Sequence, residues 1–401
     1  MSEWKKVKLG ECCLKIGSGS TPKGGSTVYV ESGTSFIRSQ NVYNLSFDYN
    51  GLTHITEDAA NKLKGVTIFS NDILLNITGD SVARTCIVPN DVLPARVNQH
   101  VAIVRTDCKQ INPRFLNYYL ASPGMQAHML SLAVGKGASR NAMTKQMIEN
   151  FEVPCPSLST QHRIATILSR YDSLIENYQK QIKLLEEAAQ RLYKEWFVDL
   201  HFPGHENVKI VDGVPEGWEK KTVSQLGEYL NGFAFKPSDW QESGKPIIKI
   251  KEMGNGVSND TPRNNGERVP AKYLVKAGDL LFSWSATLMV IIWSGEEGWL
   301  NQHLFKVTPA KGIGREFLLQ SISNTIEEFQ NLTTGSTMKH IQRNKLDQVF
   351  VNVPNDEIMK RYSSIAEKER AEILHLSSQI RLLTEARDRL LPKLMSGEIK
   401  V

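Results

Sequence analysis

Two histidines sit in matching company in this chain. His100 belongs to Val97-Asn98-Gln99-His100-Val101, and His303 to Leu300-Asn301-Gln302-His303-Leu304. An imidazole can serve as a general base, but activating a nucleophile requires a Ser, Cys or carboxylate in a suitable setting. Neither histidine has such a partner evident along the sequence. A hydrogen-bonding structural cluster at a strand edge is therefore the first reading of the pair, and contact with nucleic acid the second. Other catalytic signatures are missing. There is no GxxxxGK[ST] loop to support ATP hydrolysis. Gly17-Ser18-Gly19 and Gly135-Lys136-Gly137 lack the strand–GxGxxG–helix setting of a dinucleotide fold, so flexible loop is the better reading. No HExxH, no HxE followed by PCxxC and no paired cysteines point to a metal, so neither catalytic nor metal-binding residues are expected. Asn112-Pro113-Arg114-Phe115 is a poor imitation of an adenine-methyltransferase tetrad. Glu398-Ile399-Lys400 has only a local nuclease look at the terminus.

What remains is binding chemistry. Loops rich in Gly, Ser, Thr and Asn carry Lys or Arg at matched places in the two halves, a combination that suits phosphate contacts and base-edge readout. In the first half the candidates are Ser18, Thr21, Lys23, Arg38, Asn41, Arg84, Arg140, Asn141 and Lys145. In the second they are Lys236, Lys249, Lys251, Trp284, Lys339, His340, Arg343 and Lys345. Any one of them alone reads better as solvated surface; as a set present in both halves they point to double-stranded DNA.

The elements that must position these residues also come in two copies. Each half opens with a tryptophan ahead of Leu-Gly-Glu (Trp4 and Leu9-Gly10-Glu11; Trp218 and Leu226-Gly227-Glu228). A Gly-containing loop and a β-branched strand with interleaved basic residues follow, Thr34-Ser35-Phe36-Ile37-Arg38 against Pro246-Ile247-Ile248-Lys249-Ile250-Lys251. Next come Asn71-Asp72-Ile73-Leu74-Leu75 and Gly278-Asp279-Leu280-Leu281-Phe282, then the Asn-Gln-His strands, a helical pattern, and a strand ending at Pro154 or Pro354.

After each of those prolines a long helix is predicted, over about 160–198 and about 356–395. In the first, Ile164, Leu168, Tyr171, Ile175, Tyr178, Ile182, Leu185, Ala189, Leu192 and Trp196 step by four and three, the a/d seam of a coiled coil. In the second the seam runs Tyr362, Ala366, Glu369, Ile373, Leu376, Ile380, Leu383, Arg387, Leu390 and Leu394. Gln181-Ile182-Lys183-Leu184-Leu185 returns as Gln379-Ile380-Arg381-Leu382-Leu383, an offset of 198 residues (380 − 182). Glu369 and Arg387 interrupt the second seam, either as buried register-fixing groups or as exposed positions. A stripe this long needs a partner of similar length. The pattern predicts the two helices packed antiparallel in one chain, as a pseudo-twofold repeat of domain, helix, domain, helix. The expected divisions are 1–158, 159–200 (central helix), 201–217 (a turn-rich linker), 218–355 and 356–401 (C-terminal helix). At 1.5 Å per residue, roughly 35 residues span about 50 Å, close to about one and a half turns of B-DNA.

Composition sets the outer bounds. At 401 residues the chain exceeds a single core. An apolar fraction of 40% and a charged fraction of 23% are those of a soluble globular protein, and a net charge of +5 permits a nucleic-acid partner without requiring one. Five cysteines, an odd count without CxxC, predict a reducing, cytoplasmic setting. The N-terminus has no apolar h-region, and the longest apolar run, 288–293, is far below a membrane span.

Taken together, the chain resembles the specificity (S) subunit of type I restriction–modification enzymes over nearly its whole length. The resemblance is carried by Gly232-Phe233-Ala234-Phe235, Gly278-Asp279-Leu280-Leu281, the two Asn-Gln-His triplets, and Val153-Pro154-Cys155-Pro156-Ser157-Leu158 with Gln161 and Arg163-Ile164-Ala165. It implies an α+β chain with two mixed α/β target recognition domains, each reading half of a bipartite, asymmetric DNA site, with the helices as a ruler. It also implies that this non-catalytic host-defence subunit leaves catalysis to partners. Two modification subunits would carry S-adenosylmethionine, restriction subunits would carry ATP and Mg2+, and no cofactor is expected in this chain. The second half departs from the pattern, with Pro354-Asn355-Asp356 and no glutamine equivalent to Gln161. That departure leaves open whether both helices show partners the same surface. Two other readings stand beside this one: a recognition subunit whose partner fuses nuclease and methyltransferase, and a coiled-coil adaptor holding two protein-binding domains apart.

Overall fold

Leucine and isoleucine runs with no polar alternation mark strands that are covered on both faces, and each half is built around such a strand. The computed structural model describes residues 4–134, 141–258, 260–332 and 343–401. Its chain divides into two compact units, Met1–Ile175 with Leu383–Val401, and Glu176–Leu382. These cuts fall inside the long helices, whereas the division expected from sequence placed them at the helix ends.

In the first unit, Ile73–Asn76 is wholly buried and lies second in a four-stranded antiparallel sheet, in the order Thr85–Ile87, Ile73–Asn76, Val101–Thr106, Cys13–Ser18. Ile73 and Leu75 face a layer of two helices, Pro113–Ala121 and Pro123–Ala133, where Phe115, Leu116 and Met129 complete the core. Leu74 points the other way, into a core shared with Ile37, Val97 and Ile103. That second core lies under a five-stranded sheet ordered Tyr29–Val30, Thr53–Ile55, Thr34–Ile37, Ala95–Val97, Thr67–Ile68. Within it Ala95–Val97 runs parallel to Thr34–Ile37, with Val97 opposite Ile37.

The second unit repeats this order. Its four-stranded sheet is Met289–Ile292, Leu280–Ser283, Leu304–Pro309, Gly227–Asn231, and its mixed sheet pairs Gly298–Leu300 parallel to Lys245–Ile248. Leu280 and Phe282 face the helix Arg315–Asn324, while Leu281 faces Ile248 and Leu300. In each unit a short antiparallel pair leads into the long helix, Lys6–Lys8 with Glu152–Pro154 and Glu219–Thr222 with Phe350–Val353.

The long helices run Leu158–Tyr193, continued by a wider π-helical turn Lys194–Val198, and Asp356–Met395. Ser157 Oγ caps the first by accepting from Thr160 N at 3.2 Å, and Asn355 Oδ1 caps the second from Ile358 N at 3.0 Å. All twenty predicted seam positions are buried or half-buried, while Leu174 and Leu184, apolar but off the seam, are exposed. In the first unit Ile164, Ala165 and Leu168 share a core with Leu391, Leu394 and Met395. In the second, Trp196 and Phe197 pack on Tyr362, with ring centroids 6.0 and 4.8 Å apart. The start of one helix meets the end of the other, so within each unit the pair is antiparallel.

The two polar interruptions of the seam differ in kind. Arg387 Nη1 donates to Asp172 Oδ1 at 2.7 Å, and the Tyr118 hydroxyl donates to the other carboxylate oxygen. Burial disfavours the guanidinium charge, but Asp172 outweighs it and holds the Arg387 pKa above its ordinary value. Glu369 has no such partner. Its Oε2 is buried without a hydrogen bond among the described residues, and burial raises its pKa, offset in part by Arg370. Arg370, which stands 198 residues after Asp172, is itself buried and paired with Glu316, both Nε–Oε distances being 3.1 Å. Equivalent places in the two copies thus carry opposite charges, each matched by its own neighbours. Gln161 is buried as well. Its Oε1 accepts from Asn112 N at 2.8 Å and its Nε2 donates to Pro156 O at 2.9 Å. The residue at its offset, Met359, is buried too, so this difference between the helices lies inside and not on the surface a partner meets.

One backbone frame occurs in both units. Gly19 N donates to Val101 O at 2.9 Å and Ser20 N to Val97 O at 2.9 Å; Gly232 N donates to Leu304 O at 3.0 Å and Phe233 N to Leu300 O at 2.9 Å. A Cβ on Gly19 would lie 2.0 Å from Val97 O, and one on Gly232 2.1 Å from Asn301 O. Only glycine lets the chains approach this closely.

Three stability changes are expected. Gly19→Ala and Gly232→Ala should each destabilise by about 2 kcal/mol or more, the size of a forced core distortion, read as a loss in the denaturation midpoint. Arg387→Leu should cost about 3 kcal/mol by stranding Asp172, and adding Asp172→Leu should recover most of it, because buried ion pairs are dear to break and cheap to replace. Glu369→Leu should stabilise by up to about 1 kcal/mol at pH 7. Folding raises the Glu369 pKa, so the wild-type penalty exists only where the carboxylate is ionised. It shrinks as pH falls toward the ordinary glutamate range, and pH-resolved melts should show the variant's gain shrinking with it.

Candidate nucleic-acid interface

The strands Ala95–Val97 and Gly298–Leu300 each end at an Asn-Gln-His turn that the asparagine side chain closes. Asn98 Oδ1 accepts from His100 N at 3.1 Å and Asn301 Oδ1 from His303 N at 3.3 Å. Both asparagines are buried, so each closes its turn and reads nothing outside. In the first unit the turn exposes a linked chain of side chains. Thr21 Oγ1 donates to Gln99 Oε1, Gln99 Nε2 lies 3.1 Å from His100 Nε2, and Thr78 Oγ1 lies 2.6 Å from His100 Nδ1. With the Gln99 amide nitrogen donating, Nε2 of His100 accepts and its Nδ1–H donates to Thr78. Both ring nitrogens are then engaged, which favours the structural reading of His100 over a catalytic base.

Thr78 and His100 of this network line an open cleft of about 550 Å3, together with Gln40, Tyr43, Asp80, Arg84 and Asn141. The Arg84 guanidinium sits over the Tyr43 ring, 4.5 Å from its centroid, and that ring is 41% exposed. A flat aromatic–guanidinium stack beside amide, carboxylate and hydroxyl groups can meet both the faces and the polar edges of nucleobases. The second unit presents a different surface on the same frame. Trp284 packs against His303 with ring centroids 5.9 Å apart and planes tilted by 47°, and its indole N–H donates to Asn231 Oδ1 at 3.3 Å. His303 Nδ1 is buried without a hydrogen-bond partner among the described residues.

The predicted contact residues are scattered by the fold. Arg84 and Asn141 line the cleft, and Thr21 lies outside it, donating to Gln99, which in turn contacts the lining residue His100. Ser18, Lys23, Lys236 and Lys251 are exposed. Lys249 lies over the Trp240 ring at 4.5 Å, Lys145 pairs with Glu149 at 3.4 Å, and Lys345 donates to Gln348 at 3.2 Å. Asn41 is a correction. It is fully buried, its Oδ1 accepts from Arg38 N at 3.0 Å, and its Nδ2 donates to Asp48 O at 2.9 Å, so it braces a turn and cannot reach a ligand. Arg38 is half-buried, with Nη2 donating to Gly51 O at 2.9 Å. Arg140, Lys339 and His340 lie outside the described residues, and Arg343 is described only as the backbone of the short turn Arg343–Asp347. Sequence reading passed over Gln40, Tyr43, Asp80 and Gln99. Gln99 was signalled by the repeated triplet; the others stand in no pattern of their own. Among the described residues no group of three or more His, Cys, Asp or Glu side chains is placed to hold a metal, and no helix is long and apolar enough to cross a membrane.

Comparison with known proteins matches this duplicated architecture. The type I restriction–modification DNA specificity domain model matches residues 1–187 and again 215–390. The MjaIX type I restriction enzyme specificity subunit of Methanocaldococcus jannaschii is 25% identical across 99% of this chain and 93% of its own. The HindI specificity subunit of Haemophilus influenzae is 24% identical across the full length of both. In fold, the chain is similar to the type I restriction–modification S subunit of M. genitalium, with a TM-score of 0.56 at 15% identity over 98% of this chain and 96% of that one. With one specificity domain matched on each of its two structural repeats, the chain belongs to the type I restriction–modification DNA specificity family.

Proposed function

We propose that this chain recognises a bipartite, asymmetric DNA site, one half-site per unit, and positions on it the methyltransferase and restriction subunits that carry out the chemistry. The observation that carries this reading is one frame built twice and dressed differently. The same glycine approach and the same Asn-Gln-His turn recur, but the first copy offers Gln40, Asp80 and an Arg84–Tyr43 stack, and the second Lys251, Trp284 and His303. Two identical readers would specify a symmetric site; two different ones specify an asymmetric site.

A matched surface on the long helices supports two copies of one partner. Leu184, Glu187, Ala188 and Arg191 follow helical spacing on one exposed face, and Leu382, Glu385, Ala386 and Arg389 repeat it residue for residue. Neighbouring exposed positions have diverged, as in Leu174 against Glu372 and Gln190 against Asp388. The matched face needs no such identity for the seam, which lies on the other side. S-adenosylmethionine, ATP and Mg2+ belong to the partners in this reading, and this chain acts in the cytoplasm without a cofactor of its own.

Mapping methylated bases in DNA from a host carrying the intact system should show one bipartite motif with two different halves. Methylation without a motif, or binding of the assembled complex to any duplex with equal affinity, would overturn the reading. Inserting one heptad into each long helix should lengthen the spacer by about three base pairs (about 10 Å) and leave both half-sites unchanged. A change in the half-site bases would refute the helices as a ruler.

A further inference from the structure

Where two copies of a scaffold share their backbone hydrogen bonds, an exposed side chain that differs between them is free to carry the specificity. The bend after the strand Thr34–Ile37 and the bend after Lys245–Ile248 meet this condition. In the first, Asn98 N donates to Ile37 O at 3.0 Å; in the second, Asn301 N donates to Ile248 O at 3.1 Å. Arg38 N then donates to Asn41 Oδ1 at 3.0 Å, and Lys249 N to Glu252 Oε2 at 3.1 Å. The capping side chains Asn41 and Glu252 are both buried, 0% and 1% exposed. One residue before each cap, at the same step of the same bend, stand Gln40 and Lys251, both exposed. Gln40 lines the cleft beside Arg84 and His100.

We infer that Gln40 and Lys251 are equivalent base-reading residues, one for each half-site, and that they read different purines. The inference rests on the reading of both units as DNA-recognition domains. A glutamine amide offers a donor and an acceptor and matches the N6 and N7 edge of adenine; a lysine ammonium offers only donors and matches O6 and N7 of guanine. Gln40 Nε2 also donates to Gly51 O at 3.2 Å. That contact orients the amide and leaves its second N–H and its Oε1 for a base. Lys251 has no ion-pair partner among the described residues, so its charge is available to a guanine. The bend itself supplies the register: because the caps are buried and the backbone bonds repeat, exchanging the two exposed residues should exchange the readout without refolding either bend.

The test uses the complete complex with its methyltransferase subunits, acting on a library of randomised bipartite duplexes, with the methylated fraction sequenced. Gln40→Lys should shift one position of one half-site from adenine toward guanine by at least about five-fold, leaving the other half-site as it was. Lys251→Gln should produce the reverse shift in the other half-site. Gln40→Ala and Lys251→Ala should relax those same positions, and thermal melts of each variant separate loss of readout from loss of fold. If the wild-type complex writes a bipartite motif that none of these variants alters, this inference fails while the recognition reading stands. If the wild-type complex writes no motif at all, the recognition reading itself fails.

Discussion

Each long helix carries an apolar stripe that it cannot bury on its own, and everything else in the molecule accommodates that fact. Four to five heptads of a/d residues leave a narrow seam with wet faces on either side, so stability depends on a second helix of the same period. The chain supplies it by repeating the unit. Ile164 and Leu168 are sealed by residues from 391 to 395, and Trp196 and Phe197 by Tyr362 and its neighbours. The first unit is completed by Leu383–Val401 from the far end of the sequence, whereas the second is the continuous stretch Glu176–Leu382 and contains both the end of one helix and the start of the other.

Duplication by itself would produce a chain indifferent to which helix meets which. The polar groups in and beside the seam remove that indifference. Asp172 stands where its counterpart is Arg370, and Arg387 where its counterpart is Ala189. Asp172 meets Arg387 and Tyr118; Arg370 meets Glu316. Two second-copy helices paired together would set Arg370 against Arg387, and two first-copy helices would leave Asp172 without a cation. A buried charge without a partner is far more costly than an exposed one, so the same positions that interrupt the hydrophobic pattern also specify one of each helix. Glu369 shows the cost of a polar seam residue that finds no such partner.

The surfaces around the two Asn-Gln-His turns follow the same logic of a fixed frame with variable dressing. Backbone bonds, two glycines without room for a Cβ and two buried asparagines hold the turns. The asparagines are buried and the glycines carry no side chain, so none of them constrains the chemistry of the side chains that face outward. The outward residues are therefore free to differ, as Gln40 differs from Lys251 and the Arg84–Tyr43 stack from Trp284.

Much of this was legible in the residues alone. The 3.5-residue period predicted both helices and every seam position, and the paired Asn-Gln-His runs located the turns, because periodicity and repetition are local properties of a chain. Residue type at a surface-like loop position was less informative. Asn41 and Arg38 looked like contact residues, yet Asn41 spends its hydrogen bonds on the chain between residues 38 and 50, and nothing in its neighbours along the sequence announces this. Gln161 marked the family but turns inward, and Gln40, in no motif, stands at the cleft. By itself the sequence determined the duplicated architecture, the helical seam and the family. Which polar side chains are consumed inside and which face outward was decided only by tertiary structure, because it depends on chain crossings, such as Thr78 with His100 or Asp172 with Arg387, that no local pattern encodes.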